Sequence, residues 1–424
     1  MRTSLPASLP PPILLALALL AATPFAPPAR AIEPALDVPR VRPEEVGVST
    51  ARLRRIDDVI RRAIDNQVVS GAVTLVARKG RVVHFEAQGD MDLGTHAPMR
   101  KDAIFRMASA TKPVTAVAIL MLIEEGKVGL SDPVSKYIPE FKGMKVAVEE
   151  GTGIKLEPAR REVTIRDLLT HTSGLASGGP GIKSAGPEFS RPGALGATLA
   201  EGATKFATLP LDFQPGTKWR YSGLAGIDVL ARIVEVASGK PFDGFLRERI
   251  FEPLGMADTA FVVPADRKDR QASVHASKDG KLVPVESYIK FPDTWPSGAG
   301  GLSSTAADYF RFAQMLADDG EYEGKRLLSP RGVSLYRSNL VGDLFAGQSG
   351  RPEGMGFGMA VEVVVDPAKA GTFRSAGSFG WDGAFGTHFW VDPEKDLVAV
   401  LLIQTYNRTL HRDYETAVLQ SLLD

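Results

Sequence analysis

The chain has 424 residues, 44% of them hydrophobic and 24% charged, an ordinary globular composition. Fifty basic and fifty acidic residues give a formal net charge of zero, and no long like-charge run occurs, so nothing electrostatic points to nucleic acid or an anionic membrane surface. Cysteine is absent, which excludes disulfides, thiolate metal sites, a cysteine nucleophile and a lipid-modified cysteine behind a leader.

In chain order, residues 1–31 read as a cleavable signal peptide. Arg2 is the only charge before the apolar run 13–22; a Pro-rich stretch follows, then Ala29-Arg30-Ala31, a small-x-small cleavage site. A run of that length is about half of the roughly twenty residues that span a bilayer. The expectation is a mature chain, 32–424, that is periplasmic or secreted and carries no membrane anchor.

Residues 50–66 place Leu53, Ile56, Val59, Ile60, Ala63 and Ile64 on one stripe at helical spacing. Two β-like runs follow, 71–78 and 81–88, with Lys79-Gly80 between them as a hairpin turn. The spacing predicts a helix over 109–126 that is apolar nearly all round, hence buried, and that stops at Gly126. From there helical segments at 164–170, 226–238 and 305–318 are separated by Gly/Pro-rich loops, the longest at 173–196. Strands return at 358–365, 384–391 and 397–405, and a last helix covers 412–422. Strands and a helix at both ends predict one α+β domain whose sheet lobe comes from about 45–105 and 350–424. A helical lobe, about 106–349, is inserted between them, and clefts between lobes are where sites form.

Elimination narrows the chemistry. There is no G-x-S-x-G elbow, no H-E-x-x-H or comparable cluster among the six histidines, and no phosphate-binding fingerprint, so neither a metal nor a nucleotide cofactor is expected. What remains is Ser109-Ala110-Thr111-Lys112 at the start of the buried helix. Spacing of i, i+3 puts the hydroxyl and the amine on one face, and the positive end of the helix dipole favours a developing alkoxide. Burial disfavours the charged amine there, which would leave it able to accept a proton. The plainer alternative is a serine N-cap followed by a surface lysine.

Several stretches in order resemble one family. FRMASATKPVTAVAILMLIEEGKVGLSDPVSKYIP at 105–139, LLTHTSGL at 168–175 and QPGTKWRYS at 214–222 are followed by RERIFEPLGM at 247–256, GAGGLSSTAAD at 298–308 and GWDGAFGTHFWVDP at 380–393. Together they resemble serine β-lactamase-like hydrolases of the class C branch, which includes penicillin-binding carboxypeptidases and family VIII carboxylesterases. The resemblance implies the β-lactamase/DD-peptidase fold, an antiparallel sheet flanked by the terminal helices with an inserted helical lobe. It implies that Ser109 is the nucleophile, activated by Lys112 and by Tyr221 of the Tyr-x-Asn motif, here Tyr221-Ser222-Gly223. It also implies an oxyanion hole formed by the backbone N–H groups of Ser109 and Ala384. The third motif, Lys-Thr-Gly in relatives, falls on Trp381-Asp382-Gly383, expected at the start of a strand and in contact with substrate.

Two departures bear on substrate. Gly223 lacks the side-chain amide that would hold an acylamide, and Trp381 lacks the cation that would meet a substrate carboxylate. Asp382 would repel an anion if it faced the cleft. Arg374 and His388 could compensate, but nothing in the sequence places them there. An uncharged ester needs neither missing group, so the expected activity is a carboxylesterase acting through an acyl-enzyme on a small ester or amide substrate. The rivals are a D-Ala-D-Ala-type peptidase or weak β-lactamase, and a catalytically silent relative that binds a cell-wall ligand. His171 reads as a buried structural histidine, Phe385, Phe389 and Trp390 as sheet core, and Lys325-Arg326 as a solvated turn.

Overall fold

The structure is a computed structural model that describes Met1 and residues 38–184 and 195–424. The leader expected over residues 1–31, and residues 185–194 of the long loop, lie outside the described residues. The compact unit Glu33–Asp424 carries everything discussed below.

An eight-stranded antiparallel sheet is built from both ends of the chain. In chain order its strands are β1 (Gly71–Arg78), β2 (Arg81–Asp92), β3 (Ala97–Pro98), β4 (Met355–Phe357), β5 (Glu362–Val364), β6 (Phe379–Asp382), β7 (His388–Asp392) and β8 (Leu397–Leu402). Their spatial order is β4-β5-β6-β7-β8-β1-β2-β3, so the two chain ends meet where β8 pairs with β1, Val73 opposite Leu402. Strand β1 is buried along its whole length, which explains why GAVTLVAR is apolar without alternation. The β1–β2 turn places Lys79 at φ 51° and Gly80 at φ 69°, the left-handed pair that a two-residue hairpin of this twist needs.

One face of the sheet is covered by the terminal helices α1 (Thr50–Asp65) and, numbering in chain order, α6 (Arg408–Leu419). Leu53, Ile56, Ile60, Tyr414 and Val418 pack there on Val76, Trp390 and Leu401. The other face packs on α2 (Thr111–Glu124), α3 (Ile165–Leu169), α4 (Ala225–Ser238) and α5 (Ala306–Ala317). Every residue of α2 from Thr111 to Leu122 is buried, Lys112 included. Ser49, Thr164, Thr305 and Asn407 cap α1, α3, α5 and α6 by accepting backbone N–H bonds three residues on.

The fold departs from the sequence expectation at three places. The strand expected at 358–365 begins only at Glu362, as β5; β4 ends before it at Phe357, and a tight turn joins them in which Ala360 adopts φ +58° and Gly358 N–H meets Val361 O at 2.8 Å. The strand expected from 384 begins only at His388, so Trp381 and Asp382 close β6 and residues 383–387 form a turn, not a strand start. The middle of the chain also carries hairpins, Lys145–Glu150 with Gly153–Pro158 and Val274–Lys278 with Lys281–Val285, whose mostly exposed residues gave no buried alternation to read.

Candidate active site

The chain enters α2 through a short 3-10 turn, Ala108–Ala110. Ala108 sits at φ +45°, a left-handed conformation that a residue with a Cβ adopts at a cost of about 1–3 kcal/mol and that clusters at functional sites. The bend presents Ser109 at the edge of the helix while Lys112, one turn on, is fully buried.

The Lys112 amine has three oxygen neighbours. Nζ lies 2.6 Å from Ala299 O, 2.8 Å from Gly223 O and 3.2 Å from Ser109 Oγ. Once it has given up a proton, the amine has two N–H donors and one lone pair. The two carbonyls take the donors, and the remaining direction is that of the Ser109 hydroxyl, the arrangement a general base needs. Tyr221 reaches the same oxygen from the other side, its hydroxyl 2.8 Å from Ser109 Oγ, and the Lys112 amine stands 5.2 Å from its ring centroid. Amine and phenol therefore converge on one hydroxyl.

Tyr221 is held by its ring neighbours. His171 packs at 4.7 Å and Trp381 at 5.7 Å between centroids. His171 is buried, adopts φ +56°, and accepts the Ser222 backbone N–H at Nδ1 over 3.3 Å. Burial, and then the charge of Lys112, push this imidazole well below its ordinary range, so it stays neutral. The hydroxyl of Ser109 is met by Lys112 and Tyr221, and His171 serves as the shelf under Tyr221.

The turn after β6 clamps against the nucleophile. Gly383 N–H donates to Thr387 O at 2.7 Å, Gly386 N–H to Gly383 O at 2.8 Å, and Thr387 Oγ1 donates to Met107 O at 3.0 Å. A Cβ at Gly383 would meet Met107 O at 2.3 Å, so only glycine lets the turn approach the Ser109 segment this closely. The Ala384 N–H has no acceptor among the described residues, and it sits in the turn that Thr387 ties to Met107, two residues before Ser109.

Behind this turn lies a buried ionic network. Asp382 Oδ1 is 2.5 Å from His388 Nδ1 and 3.8 Å from His411 Nδ1, and Glu415 lies 3.0 Å from His388 Nε2. Burial alone would lower His388, but Asp382 and Glu415 outweigh it and raise the imidazole to about 9. His411 is lowered to about 4 by burial and by charged His388, and its Nε2–H donates to Gly386 O at 2.9 Å. The ligand atoms of Asp382, His388 and His411 fall within 4.8 Å of one another, close enough to hold a metal. The His388 proton occupies the space between the carboxylate and the imidazole, which makes the group an ion pair. Asp382 thus spends its charge inside the fold rather than on the cleft. Arg374 is committed to Glu362 and Glu415 at 3.4 and 3.6 Å, so neither cation considered from sequence is free.

Sequence reasoning missed four contributors. Gly223 has no side chain to offer a substrate, yet its carbonyl binds Lys112; Ala299 does the same from the GAGG stretch. Asp228 anchors that stretch. Arg351 lies 5.3 Å over the Trp381 ring, a cation beside the third motif, but Glu362 engages it at 2.5 Å.

The family model described as Beta-lactamase matches residues 56–423. Esterase EstB of Burkholderia gladioli is 33% identical over 374 residues, covering 83% of this chain and 90% of its own. The D-alanyl-D-alanine-carboxypeptidase/endopeptidase AmpH of Escherichia coli is 27% identical over 351 residues, covering 82% of this chain and 83% of its own. Among solved structures, EstCE1, a hydrolase with promiscuous acyltransferase activity, superposes with a TM-score of 0.75 at 27% identity, over 87% of this chain and 99% of its own.

Proposed function

The chain belongs to the Beta-lactamase family and is a serine hydrolase, and from that premise we propose that it is an exported carboxylesterase with Ser109 as nucleophile. The observation that carries the reading is the convergence of the Lys112 amine and the Tyr221 hydroxyl on Ser109 Oγ, at 3.2 and 2.8 Å. Lys112 takes the hydroxyl proton as Oγ attacks the ester carbonyl. The oxyanion is received by the N–H groups of Ser109 and Ala384, donors of a kind worth roughly 3 kcal/mol each. Collapse breaks the bond to the alkoxide, and the proton taken from Ser109 ends on that oxygen by way of Tyr221. Water then enters where the alcohol left, gives a proton to the same pair and attacks the acyl carbonyl; the second collapse breaks the acyl–Oγ bond, returns that proton to Ser109 Oγ and releases the acid.

The ester preference follows from what surrounds Trp381. Arg351 is paired with Glu362, Arg374 with Glu362 and Glu415, and His388 with Asp382, so the neighbouring cations are each neutralised by a carboxylate. Gly223 offers no side chain to an acylamide. A cavity of about 300 Å³ beside Gly300 and Phe385 mixes Phe261, Ile289, Phe291 and Leu302 with Arg106, Lys268 and Lys290, and Ser109, Lys112, Tyr221 and Trp381 are not in its wall, so the ester preference rests on the motif residues alone. EstB, an esterase by name, supports the same choice.

A rate comparison tests it: p-nitrophenyl butyrate is expected to be hydrolysed with kcat/KM about 10³-fold above nitrocefin or a D-Ala-D-Ala peptide, whose carboxylates and amides find no partner here. Peptide or β-lactam turnover equal to that of the ester would overturn the preference. Export rests on residues 1–31 as leader, so N-terminal sequencing of the protein from the cell exterior should begin at Ile32; a first residue upstream of that contradicts it.

A further inference from the structure

Asp228 lies on the first turn of α4, seven residues after Tyr221, and is buried to 1% exposure. Its carboxylate accepts three groups from a single passing segment. Trp295 Nε1–H donates to Oδ2 at 2.9 Å, the Ser297 hydroxyl to Oδ1 at 2.9 Å, and the Ala299 backbone N–H to Oδ1 at 2.9 Å. The carbonyl of that same Ala299 is the 2.6 Å partner of Lys112 Nζ. The amine's other carbonyl, Gly223 O, stands two residues before α4 begins. Both acceptors that aim the Lys112 amine at Ser109 are thus fixed to the helix that carries Asp228, one by the chain and one through the carboxylate.

We propose that Asp228 is a positioning residue for the acylation step: it holds the 295–299 segment so that Lys112 points at Ser109, and its buried negative charge balances the ammonium that forms when Lys112 takes the serine proton. The charge partner matters because an ammonium created in a dry site with only carbonyl dipoles around it is costly, and a fixed carboxylate one peptide unit away offsets that cost. Burial pushes the Asp228 carboxyl up to about 6, while the three donors and the charge of Lys112 act to hold it down. The carboxylate is therefore ionised above about pH 6, as the role requires. The titratable groups facing this arrangement are Lys112 from α2, Tyr221 from the segment before α4, and neutral His171 from the loop after α3.

The inference rests on Ser109 and Lys112 being nucleophile and base, and the test separates the two. The rate of labelling by a fluorophosphonate, which reports acylation alone, is measured against pH for the wild type, Asp228→Asn and Trp295→Phe. In the wild type, label confined to Ser109 supports the underlying reading, and no label overturns both. Asp228→Asn is expected to slow labelling at neutral pH by about 10²-fold. It should also move the acid limb of the profile down, since residue 228 then has no carboxyl to protonate near pH 6. The KM for an ester should stay within about twofold, because residue 228 does not touch substrate. Trp295→Phe, which keeps the carboxylate but removes one donor that holds it down, should raise the carboxyl and move the limb the opposite way, to higher pH, and it decides the matter if the Asn variant does not fold. A uniform loss of rate with an unmoved limb in both variants, or an unchanged rate, would overturn the role of Asp228 while leaving Ser109 in place.

Discussion

Ser109→Ala is expected to lower kcat/KM for p-nitrophenyl butyrate by at least about 10⁴-fold, with KM and thermal stability close to those of the parent. The size of the effect follows from position. Ser109 Oγ is the atom on which both Lys112 and Tyr221 converge, at 3.2 and 2.8 Å. Deleting it leaves the base, the phenol and the oxyanion donor intact but with nothing to deliver to the carbonyl. The fold should not notice, because a hydroxyl at the cleft edge is lost without a cavity in the core. Turnover that survives within tenfold would mean that another residue attacks.

Lys112→Met is expected to cost about 10³-fold in kcat, some 4 kcal/mol of barrier. Methionine fills much of the same volume, so what disappears is the nitrogen. Ser109 then keeps only the Tyr221 hydroxyl, with no amine behind it. The carbonyls of Gly223 and Ala299 lose their shared donor, at about 1–3 kcal/mol each, partly offset because a buried amine no longer has to be accommodated. Burst kinetics separate the two consequences: a purely structural change would scale the fraction of active enzyme, whereas loss of the base slows the burst itself. A variant with an unaltered burst rate would show that Tyr221 activates the serine alone.

Local periodicity made part of this site legible. The stripe of α1, the Lys79-Gly80 hairpin and the all-apolar α2 each depend on residues within a few positions, so sequence alone places them. The i, i+3 pair of Ser109 and Lys112 is visible for the same reason, because one helix turn fixes their proximity. Tyr221 is different. It lies 112 residues from Ser109, and only the family resemblance brought it to the nucleophile.

The remaining features had no residue-type signal to read. Gly223 and Ala299 act through backbone carbonyls, which every residue possesses. Asp228 looks like an ordinary acid on the first turn of a helix, where the dipole favours one; its burial against Trp295 and Ser297 is a fact of tertiary packing. The neutralisation of Arg351, Arg374 and His388 depends on Glu362 and Glu415, and the Glu415 pairs join strand β7 and the segment before β6 to helix α6. Strand boundaries failed where glycines cluster, at 354–358 and at 383–386, because a turn and a strand with close backbone approach share the same composition.

The most direct measurement is the location of the acyl group. Rapid acid quenching of the enzyme during p-nitrophenyl butyrate turnover, followed by peptide mapping by mass spectrometry, should find one butyryl group, on the peptide containing Ser109 and on its hydroxyl. A butyryl group on any other side chain, or turnover with no acylated peptide at any quench time, would contradict the account.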